Sequence, residues 1–246
     1  MKLPAQALAR GATLAALVLG PLAAWAQDTR SPYVVVTADQ QRYEVPLLGE
    51  GKVIGFEHVI ETPGFSITIS GNLDSDPSIS YAIGVTDFGA PSIFGFLFGT
   101  PIVPTGPATT VTASIVGGLT DFTGDGVSLS PTAAKVQTSS VGFPITPMGV
   151  DVGDPAVHGP GAPGALYPYG SFADGPDPGP SGMWTFLSTS STFSLTGGGD
   201  SAALTGFASV VTATVPDGGI GLLGVLTLLA VVFAGSCSRK SLGSQV

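Results

Sequence analysis

From Tyr33 onward, apolar residues recur at every second position across most of the chain. Phe65, Ile67 and Ile69 alternate with Ser66, Thr68 and Ser70, and Ile79, Tyr81, Ile83 and Val85 with Ser80, Ala82, Gly84 and Thr86. Phe94, Phe96 and Phe98 alternate with Gly95 and Leu97. Period-two alternation with a Ser/Thr-rich opposite face is the signature of half-buried antiparallel strands. Further strand-like runs are Tyr33–Thr37, Tyr43–Leu48, Lys52–Val59, Val111–Val116, Lys135–Gly142, Ile145–Val152, Trp184–Thr196 and Leu204–Val215. Between them fall clusters of turn residues: Asn72 to Pro77, Gly89-Ala90-Pro91, Pro101 to Pro107, Gly117-Gly118 and Gly197-Gly198-Gly199-Asp200. These residues supply positive or fixed φ where the chain must reverse. About ten strands so spaced predict an all-β domain, a single antiparallel β-sandwich of jelly-roll or immunoglobulin-like type, rather than a closed barrel. One stretch, Gly153 to Gly182, breaks the alternation with many Pro and Gly residues, and it reads as a long irregular loop packed by Tyr167 and Tyr169.

The two ends follow a different pattern. Lys2 and Arg10 precede an apolar stretch from Gly11 to Ala24, and Ala24-Trp25-Ala26 precedes Gln27. Basic, apolar and small-x-small segments in that order predict a secretory signal helix over 1–26, cleaved between Ala26 and Gln27 after export through the Sec translocon. Near the other end, Ile220 to Gly235 is apolar all round a helix, which argues for a membrane span rather than a core helix with a polar face. Such a helix reaches about 24 Å, so snorkelling of the following Arg239 and Lys240 completes the crossing of a hydrocarbon core of about 30 Å. The basic pair acts as a membrane stop that stays cytoplasmic and leaves the domain outside the inner membrane. The chain therefore divides into a signal peptide (1–26), an exported domain (27–214), a C-terminal tail (215–240) and a short cytoplasmic end (241–246).

Composition narrows the functional classes. Between Gln27 and Val215 there are 16 acidic residues against 4 basic ones, which leaves a net charge of −12 on the exported part. That sign repels nucleic acid, whose binding depends on Lys and Arg neutralising phosphates. The single cysteine, Cys237, lies in the tail, so the domain has neither disulfides nor a thiolate metal site. Its stability must come from packing and sheet hydrogen bonds.

The segment joining domain to span is Val215-Pro216-Asp217-Gly218-Gly219. This motif, the apolar span behind it and the terminal Arg239-Lys240 cluster together resemble the PEP-CTERM class of sorting tails in its VPDSG/VPDGG variant. The resemblance covers Val215 to Lys240. It implies processing by an exosortase, a membrane-embedded cysteine transpeptidase-like protease, in a Gram-negative exopolysaccharide producer. The product would belong to the cell surface or extracellular matrix. Pro216 and the glycines suit a protease substrate because they prevent regular structure. The tail departs from the usual pattern in its small basic cluster and in Cys237, a candidate acylation site just before it. The stretch Ser80 to Pro91, with the phenylalanine run behind it, is similar to exported domains that accompany such tails and transfers no functional residues.

Elsewhere, catalytic signals are sparse. His58 and His158 are the only histidines, and no Gly-x-Ser-x-Gly elbow precedes a helix. Asp121, Asp125 and Gly126, and likewise Asn72, Asp74 and Asp76, place oxygen atoms at short spacing, as calcium prefers. Neither run has the later Glu of an EF-hand, and Asx residues serve turns by bonding their own backbone. The sequence thus predicts turn chemistry, with no metal and no cofactor. The expectation is a non-enzymatic surface or matrix protein. A carbohydrate-binding module on the exopolysaccharide would need an aromatic platform from Tyr33, Tyr167, Tyr169 or Trp184. A secreted hydrolase would need two carboxylates facing one cleft.

Overall fold

In the computed structural model, the described residues are 31–105, 109–141, 146–147, 150–178 and 184–212. The sorting motif Val215 to Gly219, the cleavage residues Ala24, Ala26 and Gln27, the stop residues Arg239 and Lys240, and Cys237 all lie outside them. The described chain is all-β and forms two antiparallel sheets. Among these residues no helix is long and apolar enough to cross a membrane.

The strands are β1 (Tyr33–Ala38), β2 (Gln41–Glu44), β3 (Leu47–Leu48), β4 (Val53–Glu61), β5 (Phe65–Asp74), β6 (Ser78–Asp87), β7 (Ser92–Thr105) and β8 (Thr109–Asp121). They continue as β9 (Val127–Pro131), β10 (Gln137–Val141), β11 (Thr146–Pro147), β12 (Ala156–His158), β13 (Ala165–Pro178), β14 (Trp184–Leu195) and β15 (Asp200–Thr212). One sheet runs β11-β10-β14-β7-β1-β2, with β9 beside β14 and β12 beside β9. The other runs β13-β8-β15-β6-β5-β4-β3.

The inner faces are those that the period-two pattern marks. Ile67, Ile69, Ile79, Tyr81, Ile83, Phe94, Phe96 and Phe98 are all buried in one core between the sheets. Phe98 of the first sheet stacks on Tyr81 of the second at 4.5 Å and tilts against Phe56 at 5.6 Å, while Phe65 meets Phe94 edge-on at 5.8 Å. Aromatic pairs of this kind contribute about 0.5–1.5 kcal/mol each beyond the area they bury. One polar clip joins the layers: the Tyr81 hydroxyl donates to Gln137 Oε1 at 2.7 Å, and Gln137 Nε2 donates to the Phe207 carbonyl at 3.0 Å. Gln137 is fully buried, so both bonds replace water that it cannot reach.

The structure corrects the sequence reading in four places. Gly117-Gly118 and Pro101 do not break the chain, because β7 and β8 run straight through them. Gly117 and Gly118 are paired on both sides and Pro101 with Phe186 of β14, and that pairing outweighs local propensity. Val127–Pro131 is a strand that the pattern did not single out. Ile145–Val152, expected as a strand, supplies the two-residue β11 and an isolated bridge from Val152 to Gln137. Most of all, the expected loop over 153–182 carries β12 and the long strand β13. β13 pairs with β8 alone, and an edge strand tolerates Pro168 and Pro176 where a central strand would lose a ladder bond. Register shifts between Pro168 and Gly170 and between Asp174 and Asp177 absorb the irregular residues as bulges.

Burial pushes the phenols of Tyr81 and Tyr169 well above their ordinary pKa, and raises that of Tyr33 as well. The folded chain therefore holds protons that the unfolded chain releases at about pH 10. Stability from these groups is complete below that pH and is lost as pH rises above it. Denaturant midpoints are expected to stay level to about pH 9 and fall beyond pH 10, with Tyr81 and Tyr169 ionising together with unfolding. A midpoint unchanged through about pH 11, or ionisation of Tyr81 or Tyr169 in the intact fold, would contradict the burial.

Candidate functional site

Three strands of the second sheet end, or begin, at aspartates at one end of the sandwich. Asp87 closes β6, Asp121 closes β8 and Asp200 opens β15, which lies between them. Asp200 pairs with Asp87, while Ser201 pairs with Thr120, one position short of Asp121. All three aspartates have no solvent-exposed surface. Isolated carboxylates in such a position are costly unless hydrogen-bonded or paired with a cation.

Two of the three have both oxygens bonded to backbone N–H groups. Asp87 Oδ1 accepts the Gly89 N–H at 3.2 Å, and its Oδ2 accepts the Ser92 N–H at 2.9 Å. Burial still pushes the Asp87 carboxyl above the usual range, against the downward pull of these two bonds. Asp121 Oδ1 accepts the Gly124 N–H at 2.6 Å and Oδ2 the Gly126 N–H at 2.9 Å, which folds residues 121–126 around its own side chain. Gly124 and Gly126 have φ of 85° and 108°, values that L side chains rarely adopt, so the loop depends on glycine at both positions.

Asp200 differs. Its Oδ1 accepts the Phe122 N–H at 3.0 Å, but its Oδ2 is buried without any partner. One carboxylate oxygen from each of Asp121, Asp125 and Asp200 lies within 4.8 Å of those from the other two. Asp125 is exposed and accepts a hydrogen bond from the Thr123 hydroxyl. The ion pairs among the described residues join Arg42 to Glu44 and Lys135 to Asp154, and neither includes this cluster. The turn chemistry expected of Asp121 is present. Asp200 was hidden from the sequence behind Gly197-Gly198-Gly199, and Asp87 inside a strand-like run. The legible signal was an aspartate at a strand end with glycine two or three residues on, shared by Asp87-Phe88-Gly89 and Asp121-Phe122-Thr123-Gly124.

The second Asx run is a turn and no more. Asp74 Oδ1 accepts the Asp76 N–H at 2.8 Å, and Asn72 is solvent-exposed. His58 lies half-buried on β4 at the rim of a shallow groove of about 430 Å³ on the outer face of the second sheet. That groove is floored by small residues, among them Ser70, Ala82, Gly84, Gly117 and Ala203. His158 stacks on Tyr167 at 4.5 Å with its Nε2 buried and unbonded.

The candidate aromatic platform is not assembled. Trp184 and Tyr169 are buried, and Tyr169 donates its hydroxyl to the Asp154 carbonyl at 2.9 Å. Tyr33 stacks on Phe186 in the first sheet, whereas Tyr167 belongs to β13 of the second. No family model, curated protein or solved structure matches this chain. What the geometry defines is a class: a two-sheet antiparallel sandwich with a largely buried carboxylate cluster at one end.

Proposed function

We propose that the chain is an exported, non-enzymatic surface or extracellular-matrix protein of a Gram-negative exopolysaccharide producer, handled by the Sec translocon and then by an exosortase. Its β domain is read as a jelly-roll or immunoglobulin-like sandwich, a reading supported by the chain's repeated crossing between sheets, at β6 to β7, β7 to β8 and β14 to β15. The observation that carries the functional reading is order along the chain. A signal-like leader precedes the sandwich, and β15 ends at Thr212, just ahead of Ala213, Thr214 and the motif Val215-Pro216-Asp217-Gly218-Gly219. A protease acting there would find its motif close behind the last described strand in sequence, with the apolar stretch and Arg239-Lys240 following it.

Neither alternative gains a supporting observation. A carbohydrate-binding module lacks a shared groove for its rings among the described residues. For a hydrolase, two of the three clustered carboxylates are sealed from solvent.

The test is intact mass and fractionation of the native protein from its own host. The expected mass lacks Met1–Ala26 and the segment behind the motif. Replacing Val215–Gly219 with a serine-rich run is expected to leave an inner-membrane species that retains residues 220–246. Unchanged processing of that variant would defeat the exosortase reading.

A further inference from the structure

We propose that Asp121, Asp125 and Asp200 form a calcium site that ties the loop after β8 to the start of β15. This goes beyond the function above and does not depend on the sorting tail. Three observations converge on one point. Carboxylate oxygens from the three residues lie within 4.8 Å of one another, the span of two oxygens on opposite sides of a calcium ion bound at about 2.3–2.6 Å. No ion pair among the described residues neutralises them. The third observation is independent of the clustering. Asp200, fully buried, has its Oδ1 held by the Phe122 N–H and its Oδ2 without a partner. A buried carboxylate oxygen without a hydrogen bond calls for a water, a proton or an ion as its partner, and the two further carboxylates beside Asp200 point to a cation.

The donor set selects the kind of cation. All the side-chain ligands are hard oxygens, with neither imidazole nor thiolate among them, which disfavours softer transition metals. Magnesium keeps most of its water and prefers one or two carboxylates, whereas calcium takes six to eight oxygens in flexible geometry. Asp121 and Asp200 form the buried wall, and exposed Asp125 leaves the outer side open, so water supplies the remaining ligands. Because the Asp121 oxygens already accept the Gly124 and Gly126 N–H groups, the loop is shaped before the ion arrives. A partly wet site of three carboxylates belongs with the weaker calcium modules, at about 10⁻⁴–10⁻³ M.

The experiment uses the full chain in detergent, with calcium chloride as the probe, followed by calorimetric titration and by thermal unfolding against EGTA. The expected result is one calcium per chain, with a melting point raised by roughly 5–10 °C once calcium is about a hundredfold above its dissociation constant. Asp125→Asn changes an exposed residue and should fold normally. It is expected to weaken calcium binding at least about tenfold while leaving the melting point in EGTA unchanged. Asp76→Asn, in the other Asx turn, is expected to bind as the parent does. Absence of saturable binding at millimolar calcium would overturn the proposal and assign the Asp200 oxygen to a water or a proton. Equal stabilisation by magnesium, or full binding in Asp125→Asn, would also overturn it.

Discussion

Replacing Gly206 with valine is expected to destabilise the domain by at least about 3 kcal/mol, at the severe end for a single substitution. In a domain of this size that lowers the melting point by roughly 6–12 °C. Gly206 sits opposite Tyr81 on adjacent strands, with the tyrosine ring laid across it. A Cβ at position 206 would fall 2.1 Å from the ring Cζ and 2.2 Å from the hydroxyl oxygen. Clashes with flexible side chains are often relieved by a new rotamer, but this ring is held on two sides. It stacks on Phe98 at 4.5 Å, and its hydroxyl is bound to Gln137. Moving it would strand the Gln137 carbonyl oxygen in the interior, which adds about 1–3 kcal/mol for an unsatisfied buried acceptor. Gly206→Ala should show the same effect at smaller size, and shortening the ring with Tyr81→Leu in the Gly206→Ala background should recover part of it. A Gly206→Val protein melting within about 2 °C of the parent would mean that the ring does not lie there.

The second large effect is expected at Asp121. Asp121→Ala, measured in EGTA so that bound cation plays no part, should cost about 2–4 kcal/mol, read from denaturant midpoints. Two opposing terms meet here. Removing a buried charge near Asp200 relieves repulsion, but it also abandons two hydrogen bonds to a charged acceptor, each contributing about 1.5–3 kcal/mol. Both Asp121 oxygens are engaged at 2.6 and 2.9 Å, so the hydrogen bonds outweigh the repulsion. Asp74→Ala removes one bond from a partly exposed turn and should cost about 0.5–1.5 kcal/mol. Equal losses at the two positions, or a gain at Asp121, would refute this assignment of roles.

The contrast between those aspartates shows where sequence reading reached its limit. Asn72 to Asp76 and Asp121 to Gly126 look alike as strings, and both make the backbone bonds that Asx residues favour. What separates them is the arrival of Asp200 from a strand far along the chain, a matter of sheet order that local pattern does not encode. The inner faces were legible for the opposite reason. Phe94, Phe96 and Phe98 announce their burial through spacing alone, since a strand presents alternate residues to one side whatever its neighbours. The 153–182 segment misled because Pro and Gly oppose strand formation in the middle of a sheet but not at its margin. Only knowledge that β13 has a single neighbour reverses the inference. The platform residues failed likewise: nothing in the spacing of Trp184 or Tyr169 told that their rings turn inward.

The order of strands also bears on when this domain can become whole. β14 and β15 are the last two strands described, yet each occupies an interior position in its sheet. β14 joins β7 to β9 and β10, and β15 joins β6 to β8. A chain growing from its N-terminus holds five disconnected pieces of sheet, three of the first layer and two of the second, until residues 184–212 emerge, and only then do both layers close, nearly together. Hairpins such as β5–β6 can form early, but the cooperative unit has a built-in delay set by the position of its keystones. Shortening the chain from the C-terminal side would therefore not trim the sandwich; it would break each layer apart from within.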